Sequence, residues 1–214
     1  MSADKRSTRG GNPHVQRARA AETRGTILVA ARTLFTHAGY HGTGTTEIAA
    51  QAQVTRGAIY HHFADKEALF LAVFRSLAEE LAERSSAAAA PLSGDLWPQV
   101  TRAYRNYLLL MAANADYRRV LLIDGPAVLG WSRWRDLQSE YVAARTADAL
   151  HLMMDAGLVR RQPALPLASI IQAALHDAAL TMASSADEPG AGEAVMAAFL
   201  FILLGLKEPR PEVA

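Results

Sequence analysis

The segment Thr45–Lys66, TTEIAAQAQVTRGAIYHHFADK, decides the fold. It reads as two short helices joined by a tight turn at Gln53-Val54. Thr43, Gly44, Thr45 and Thr46 form an N-cap-rich lead-in to a first helix ending near Ala52. Thr55 is placed to cap a second, Arg56 to His61, and Asp65 to cap a longer helix beginning at Lys66. Helices this short do not persist alone in water, so they need tertiary support. Ile48, Ala49 and Ala52 supply one apolar face, and Val54, Ile59 and Phe63 the other. That pairing leaves Thr55, Arg56, Gly57, Tyr60 and His61 pointing outward.

An outward helix of this composition suits the major groove of duplex DNA, with its N-terminal residues near base edges. Arg56 offers the forked donors that read guanine, Thr55 reaches a base or a phosphate, and Gly57 lets the backbone approach. Tyr60 and His62 are hydrogen-bonding aromatics suited to phosphate oxygens. Thr45 and Thr46 open one helix and Lys66 another, where free amides also favour phosphate. A cation at a helix N-terminus, as at Lys66, is unfavourable unless an anion lies nearby. A structural role for Tyr60, packed against the first helix, is the competing reading. Adjacent His61 and His62 do not share a helical face, which argues against a metal site with Asp65.

Working outward, a helix is expected from Val15 to Ala38, with Ile27, Leu28, Ala31, Leu34 and Phe35 as its apolar stripe and Gly39 as its C-cap residue. Residues 1–14 are Ser-, Arg- and Gly-rich without apolar periodicity and read as a disordered basic tail. After Lys66 the helical pattern continues: to about Ala88, from Trp97 to Ala113, Tyr117 to Ile123, Trp131 to Ala156, Pro166 to Ser184, and Gly192 to Leu206. Glycine and proline mark the breaks, including Gly125-Pro126 and Gly130. Strand-like alternation is not sustained anywhere, so the expected fold class is all-α. Nine helices are expected in two domains, a three-helix helix-turn-helix domain over 15–66 and a larger helical domain over 67–214.

The net charge of +1 hides an asymmetry. Residues 1–66 hold nine Lys/Arg against four Asp/Glu, and residues 67–214 hold thirteen against seventeen. A basic front on an acidic back fits an anion-binding module joined to a different partner domain. The chain has no cysteine, which excludes disulfides, thiol catalysis and thiolate metal sites and fits a reducing compartment. The N-terminus lacks the apolar core of a signal peptide, and the longest apolar run, Ala194 to Leu206, is short of a membrane span. A cytoplasmic protein without a membrane partner is expected. No phosphate-cradling loop, nucleophile elbow, zinc motif or cofactor motif occurs, so an enzyme is not expected.

The run Gly42–Ala49, then Val54–Phe63, then Asp65–Leu69, together with Phe35, Gly39 and Tyr40, resembles the TetR family signature over about a quarter of the chain. The resemblance implies an all-helical homodimer, usually a repressor, released from a palindromic operator by a small molecule. It implies DNA contacts at Thr45, Thr46, Arg56, Tyr60, His62 and Lys66, with Tyr60 and Lys66 as backbone anchors and Arg56 as a specificity position. One departure is Gln53, where the family usually has glycine; a positive φ there would strain glutamine.

In the larger domain the resemblance implies a four-helix dimer bundle from the last two helices. Ile170, Ala174, Val195, Phe199, Ile202, Leu203 and Leu206 are the expected contacts; an intramolecular helix pair is the alternative. The middle helices are the expected effector site, with Trp97, Tyr104, Tyr107, Met111, Trp131, Trp134, His151, Met154 and His176 as candidate lining. Plain core packing competes for every aromatic and Met residue, and for His176 a polar pair with Asp177 at the dimer surface does. The functional alternative is a helical adaptor whose helix-turn-helix is only structural.

Overall fold

The computed structural model describes residues 13–87, 96–185 and 187–207. Among them nine helices follow in chain order: α1 (Pro13–Gly42), α2 (Thr45–Gln51), α3 (Arg56–His62), α4 (Lys66–Ala87) and α5 (Leu96–Ala113) come first. Then α6 joins a π-helical Tyr117–Asp124 to an α-helical Gly125–Leu129. In α7, Trp131–Gln138 runs through a π-helical Ser139–Ala143 into Ala144–Asp155. The last two are α8 (Ala164–Ser184) and α9 (Ala191–Leu204). No strand occurs among the described residues beyond a single bridge between Val159 and Lys207.

The first helix begins at Pro13, so the last two residues of the expected tail belong to its first turn; residues 1–12 lie outside the described residues. The expected break at Gly39 is present, with φ 74°. Thr43 then ties the chain back, its hydroxyl shared between the carbonyl oxygens of Gly39 (2.8 Å) and Leu34 (3.1 Å). Phe35 and Tyr40 each pack edge to face on Phe70 and lie tilted against each other, with centroids 5.2–5.8 Å apart, and fasten α1 onto α4.

The turn between α2 and α3 is a Schellman motif. The Val54 N–H donates to Ala49 O (3.0 Å) and the Gln53 N–H to Ala50 O (3.1 Å). Gln53 sits at the C′ position with φ 55°, the single positive-φ non-glycine among the described residues. A side chain in this conformation costs about 1–2 kcal/mol, part of which glycine would return as chain entropy. Gln53→Gly is therefore expected to raise unfolding stability by about 0.5–1 kcal/mol in chemical denaturation. An unchanged or lower midpoint would contradict the strain.

Two expectations for the larger domain shift. The Gly125-Pro126 pair is not a break, since α6 runs through it to Leu129 and the chain turns at Gly130 (φ 76°). Pro126 falls in the first turn of the α-helical segment, where a missing N–H is tolerated. Gly125 is there for space: a Cβ would lie 2.9 Å from Trp134 Cδ1 and 3.0 Å from Val120 O. Second, α8 is long and apolar enough to cross a membrane by length and composition, although nearly half of that window is buried inside the protein. It packs on α5, α7 and α9 as a core helix. Gln172 and His176 interrupt its apolar run in sequence yet are buried, and the Gln172 amide donates to Gln138 O (2.9 Å).

The two expected domains meet through hydrogen bonds as well as the α1–α4 core. Arg32 of α1 binds Glu80 of α4 (2.6 Å) and Asp116 before α6 (2.8 Å). The Tyr117 hydroxyl donates to the same Glu80 carboxylate at 2.6 Å. Burial alone would raise the Glu80 carboxyl, but the hydrogen bonds from Arg32 and Tyr117 outweigh it and hold its pKa low. The Tyr40 backbone N–H donates to Asp124 (2.8 Å), and Arg119 pairs with that carboxylate at 3.2 Å.

Candidate nucleic-acid interface

The outward face of α3 is held by anchoring beneath it and capping at its start. Ile48 and Ile59 are fully buried, and Ala49, Ala52 and Phe63 nearly so, as the pairing of the two short helices requires. Thr55 caps α3, its hydroxyl accepting from the Ala58 N–H at 3.2 Å. Asp65 caps α4 by accepting from the Ala68 N–H at 2.7 Å. Glu47 reaches back to the Gly44 N–H (2.8 Å) and secures the start of α2.

Of the expected DNA-facing residues, Thr46, Thr55, Arg56, Gly57, Tyr60 and His61 are exposed, while His62 and Lys66 are half-buried. Tyr60 is 44% exposed, so it does not serve as core packing for α1. Its hydroxyl lies 3.4 Å from the Thr45 hydroxyl and accepts from Arg56 at 3.3 Å. The bond to Thr45, and after it the one from Arg56, lowers the Tyr60 pKa. Arg56 also lies over the Tyr60 ring, 5.5 Å from its centroid.

Thr45 differs from the expectation. Its side chain is buried, so it acts on this surface through the tyrosine it holds rather than by itself. Lys66 has a protein partner too, with Nζ 4.1 Å from the centroid of the Tyr40 ring. Burial lowers its pKa, and Glu47 works the other way. Arg24, on α1, lies 5.1 Å from the Phe63 ring centroid and adds a cation beside this surface that sequence reading passed over. Among the described residues no cluster of three or more His, Asp or Glu is placed to hold a metal ion.

The candidate effector residues scatter. Tyr104 and Tyr107 line a cavity of about 190 Å³ between α4, α5, α7 and α8. Trp97, Met111, Trp134, Met154 and His176 are buried but do not line it, and Trp131 and His151 are exposed. Trp131 stacks outside Trp134, with centroids 4.9 Å apart. Trp134 itself donates to Leu121 O at 2.7 Å, which fixes α7 to α6. Tyr141, another aromatic of the middle helices expected at the effector site, lines the cavity too, whereas Arg145 and Thr146 beside it were missed. The i, i+4 spacing from Tyr141 to Arg145 was the available signal.

The residues of the expected dimer stripe differ in exposure. Ile170 and Ile202 are exposed as expected, and Ala174, Val195 and Leu206 are half-buried. Phe199 and Leu203 point inward instead, Phe199 against Tyr104 at 5.7 Å between centroids. The large outward side chain is Phe201, 79% exposed.

Comparison with known proteins agrees with this architecture. Residues 27–73 match the family described as bacterial regulatory proteins, tetR family, and residues 97–206 match the tetracyclin repressor-like C-terminal domain. A solved TetR-family transcriptional regulator from Pectobacterium atrosepticum superposes with a TM-score of 0.75 at 34% identity, over 91% of this chain and 99% of that one. The HTH-type transcriptional repressor Rv1474c of Mycobacterium tuberculosis is 33% identical over 69% of this chain and 75% of its own length. The repressor BepR of Brucella suis is 51% identical over 57 residues, 27% of either protein. The chain spans a third or less of the first curated relatives it matches. With family matches in both halves, and an all-helical neighbour matched along nearly its whole length, the chain belongs to the TetR family of transcriptional regulators.

Proposed function

We propose that this regulator is a homodimeric repressor that binds a palindromic operator through residues 15–66 and is released by a small apolar effector bound within residues 67–214. The observation that carries the reading is the face of α3: Arg56, Gly57, Tyr60 and His61 exposed above a fully buried Ile59. Arg56 reads a base edge, with Tyr60, Thr46, Thr55, His62 and Lys66 on phosphates to either side. A twofold pair of such helices reaches successive major grooves when they stand about 34–36 Å apart. Release requires that the effector bind one arrangement of the two domains better than the other. The hydrogen bonds of Asp124 and Arg32 across the domain boundary are where that difference would be felt. Such a regulator works where its duplex is, in the cytoplasm.

Selection of bound duplexes from a random pool by the purified protein tests the reading and yields the operator. Binding is expected to weaken steeply with salt. Arg56→Ala is expected to cost about 1–3 kcal/mol and to relax base preference at one position of each half-site. Lys66→Ala is expected to weaken all duplexes alike and to flatten the salt dependence. An Arg56→Ala protein with unaltered affinity and preference would remove α3 from the groove.

A further inference from the structure

The cavity behind Tyr104 and Tyr107 has polar groups left over. The Ser85 hydroxyl is taken by Leu81 O at 2.6 Å and the Ser86 hydroxyl by Ala82 O at 2.8 Å. Tyr104 donates to Thr146 at 3.2 Å. The Tyr141 hydroxyl is held at the rim by Arg75 (3.3 Å) and Glu79 (3.4 Å). Two groups remain. Tyr107 is buried, burial pushes its phenol well above the ordinary value, and its hydroxyl has no hydrogen-bond partner among the described residues. Arg145 stands exposed at the edge of the cavity and makes no ion pair among them. One is a neutral hydroxyl that can donate or accept, and the other a cation with nothing but donors. No carboxylate is among the lining side chains.

We propose that the effector is a small organic anion, an apolar body bearing one carboxylate, with the carboxylate set on Arg145 at the mouth. This rests on the proposed effector site within residues 67–214, places it in this cavity, and narrows the apolar effector to one with a single charged end. The walls favour an apolar body, since Val100, Ala103, Val142, Ala149 and Leu175 surround it. A cavity of about 150 Å³ with aliphatic and aromatic walls holds benzene, so about 190 Å³ admits one ring with a short side chain, or a medium acyl chain. A basic ligand meets no carboxylate among the lining side chains and is opposed by Arg145. A neutral ligand leaves the guanidinium unused. Tyr107, deep in the cavity, adds a donor for a carbonyl or ring hydroxyl on the body.

Isothermal titration of the full-length protein with benzoate, phenylacetate, hexanoate and octanoate, each against its uncharged primary amide, tests the class. At least one acid is expected to bind about tenfold more tightly than its amide, the usual scale for a charge-assisted hydrogen bond. Arg145→Gln, at an exposed position that leaves the fold intact, is expected to remove that difference, and Arg145→Lys to keep most of it. Acids and amides that bind equally would overturn the anion and leave the effector cavity standing. A preference for acids that survives Arg145→Gln would place the carboxylate elsewhere and overturn the assignment. Binding of neither series at millimolar concentration would overturn the cavity as a site for compounds of this size.

Discussion

Phe201→Glu is expected to convert the protein to a monomer and to lower operator affinity by about 10²–10⁴-fold. Phe201 is 79% exposed on α9, beside Ile202 at 60% and Leu204 at 49%, and Ile170 on α8 is 68% exposed. So much apolar surface on two neighbouring helices marks an association face. In a twofold dimer the interface is isologous, so the substitution enters it twice, once from each protomer. Two carboxylates would then enter an apolar contact without a cation, and burying unpaired charge costs more than such a patch gains. The operator loss follows from geometry. With one recognition helix already docked, the second binds as an intramolecular event, and a monomer forfeits that gain. Because the side chain is exposed in the protomer, helix content by circular dichroism is expected to stay unchanged. Light scattering reads the mass and a mobility-shift titration reads the affinity. A Phe201→Glu protein that remains dimeric and binds its operator normally would place the interface elsewhere.

The first domain was legible because its determinants are local. Thr55 and Asp65 cap the helices that follow them, and Ile48 and Ile59 occupy the one spacing that lets two short helices share an apolar face. The two-helix spacing located the turn at Gln53, and the glycine usual there in the TetR resemblance pointed to its strain. The last helix behaved otherwise. AVMAAFLFILL is apolar around its whole circumference, so the stripes through Phe199 and through Phe201 look equally good in sequence. Only the position of Tyr104 on α5 decides which one turns inward. The cavity was legible in part for a related reason. Its wall comes from four helices with no common period, and aromatic content is a poor guide when Trp131 faces solvent and Met111 fills the core. The π-helical stretches of α6 and α7 leave no trace in the apolar pattern, so the continuation of α6 through Pro126 was hidden as well.

Acid is expected to destabilise the protein through His176. The side chain is buried on α8, its ring 5.8 Å from that of Trp134, and its Nε2 has no hydrogen-bond partner among the described residues. Burial pulls its pKa down to about 4, against 6.5 for the free side chain. The folded state therefore keeps His176 neutral at pH values where the unfolded chain has already taken up a proton. Stability is complete above pH 6.5 and falls as the pH drops toward 4, by about 1.4 kcal/mol per pH unit once the unfolded histidine is mostly charged. The full difference approaches about 3 kcal/mol, a large share of the stability of an ordinary domain. Urea unfolding at fixed protein concentration, repeated between neutral pH and pH 5, measures it, the fixed concentration being needed because association adds to apparent stability. His176→Leu removes the titrating group while filling most of the space. The variant is expected to lose about 2 kcal/mol less than the parent over that range. Its absolute stability at neutral pH does not enter, because the difference between the two slopes carries the argument. Parallel curves would mean that the imidazole finds a partner or water in solution and that its protonation is not what the fold resists.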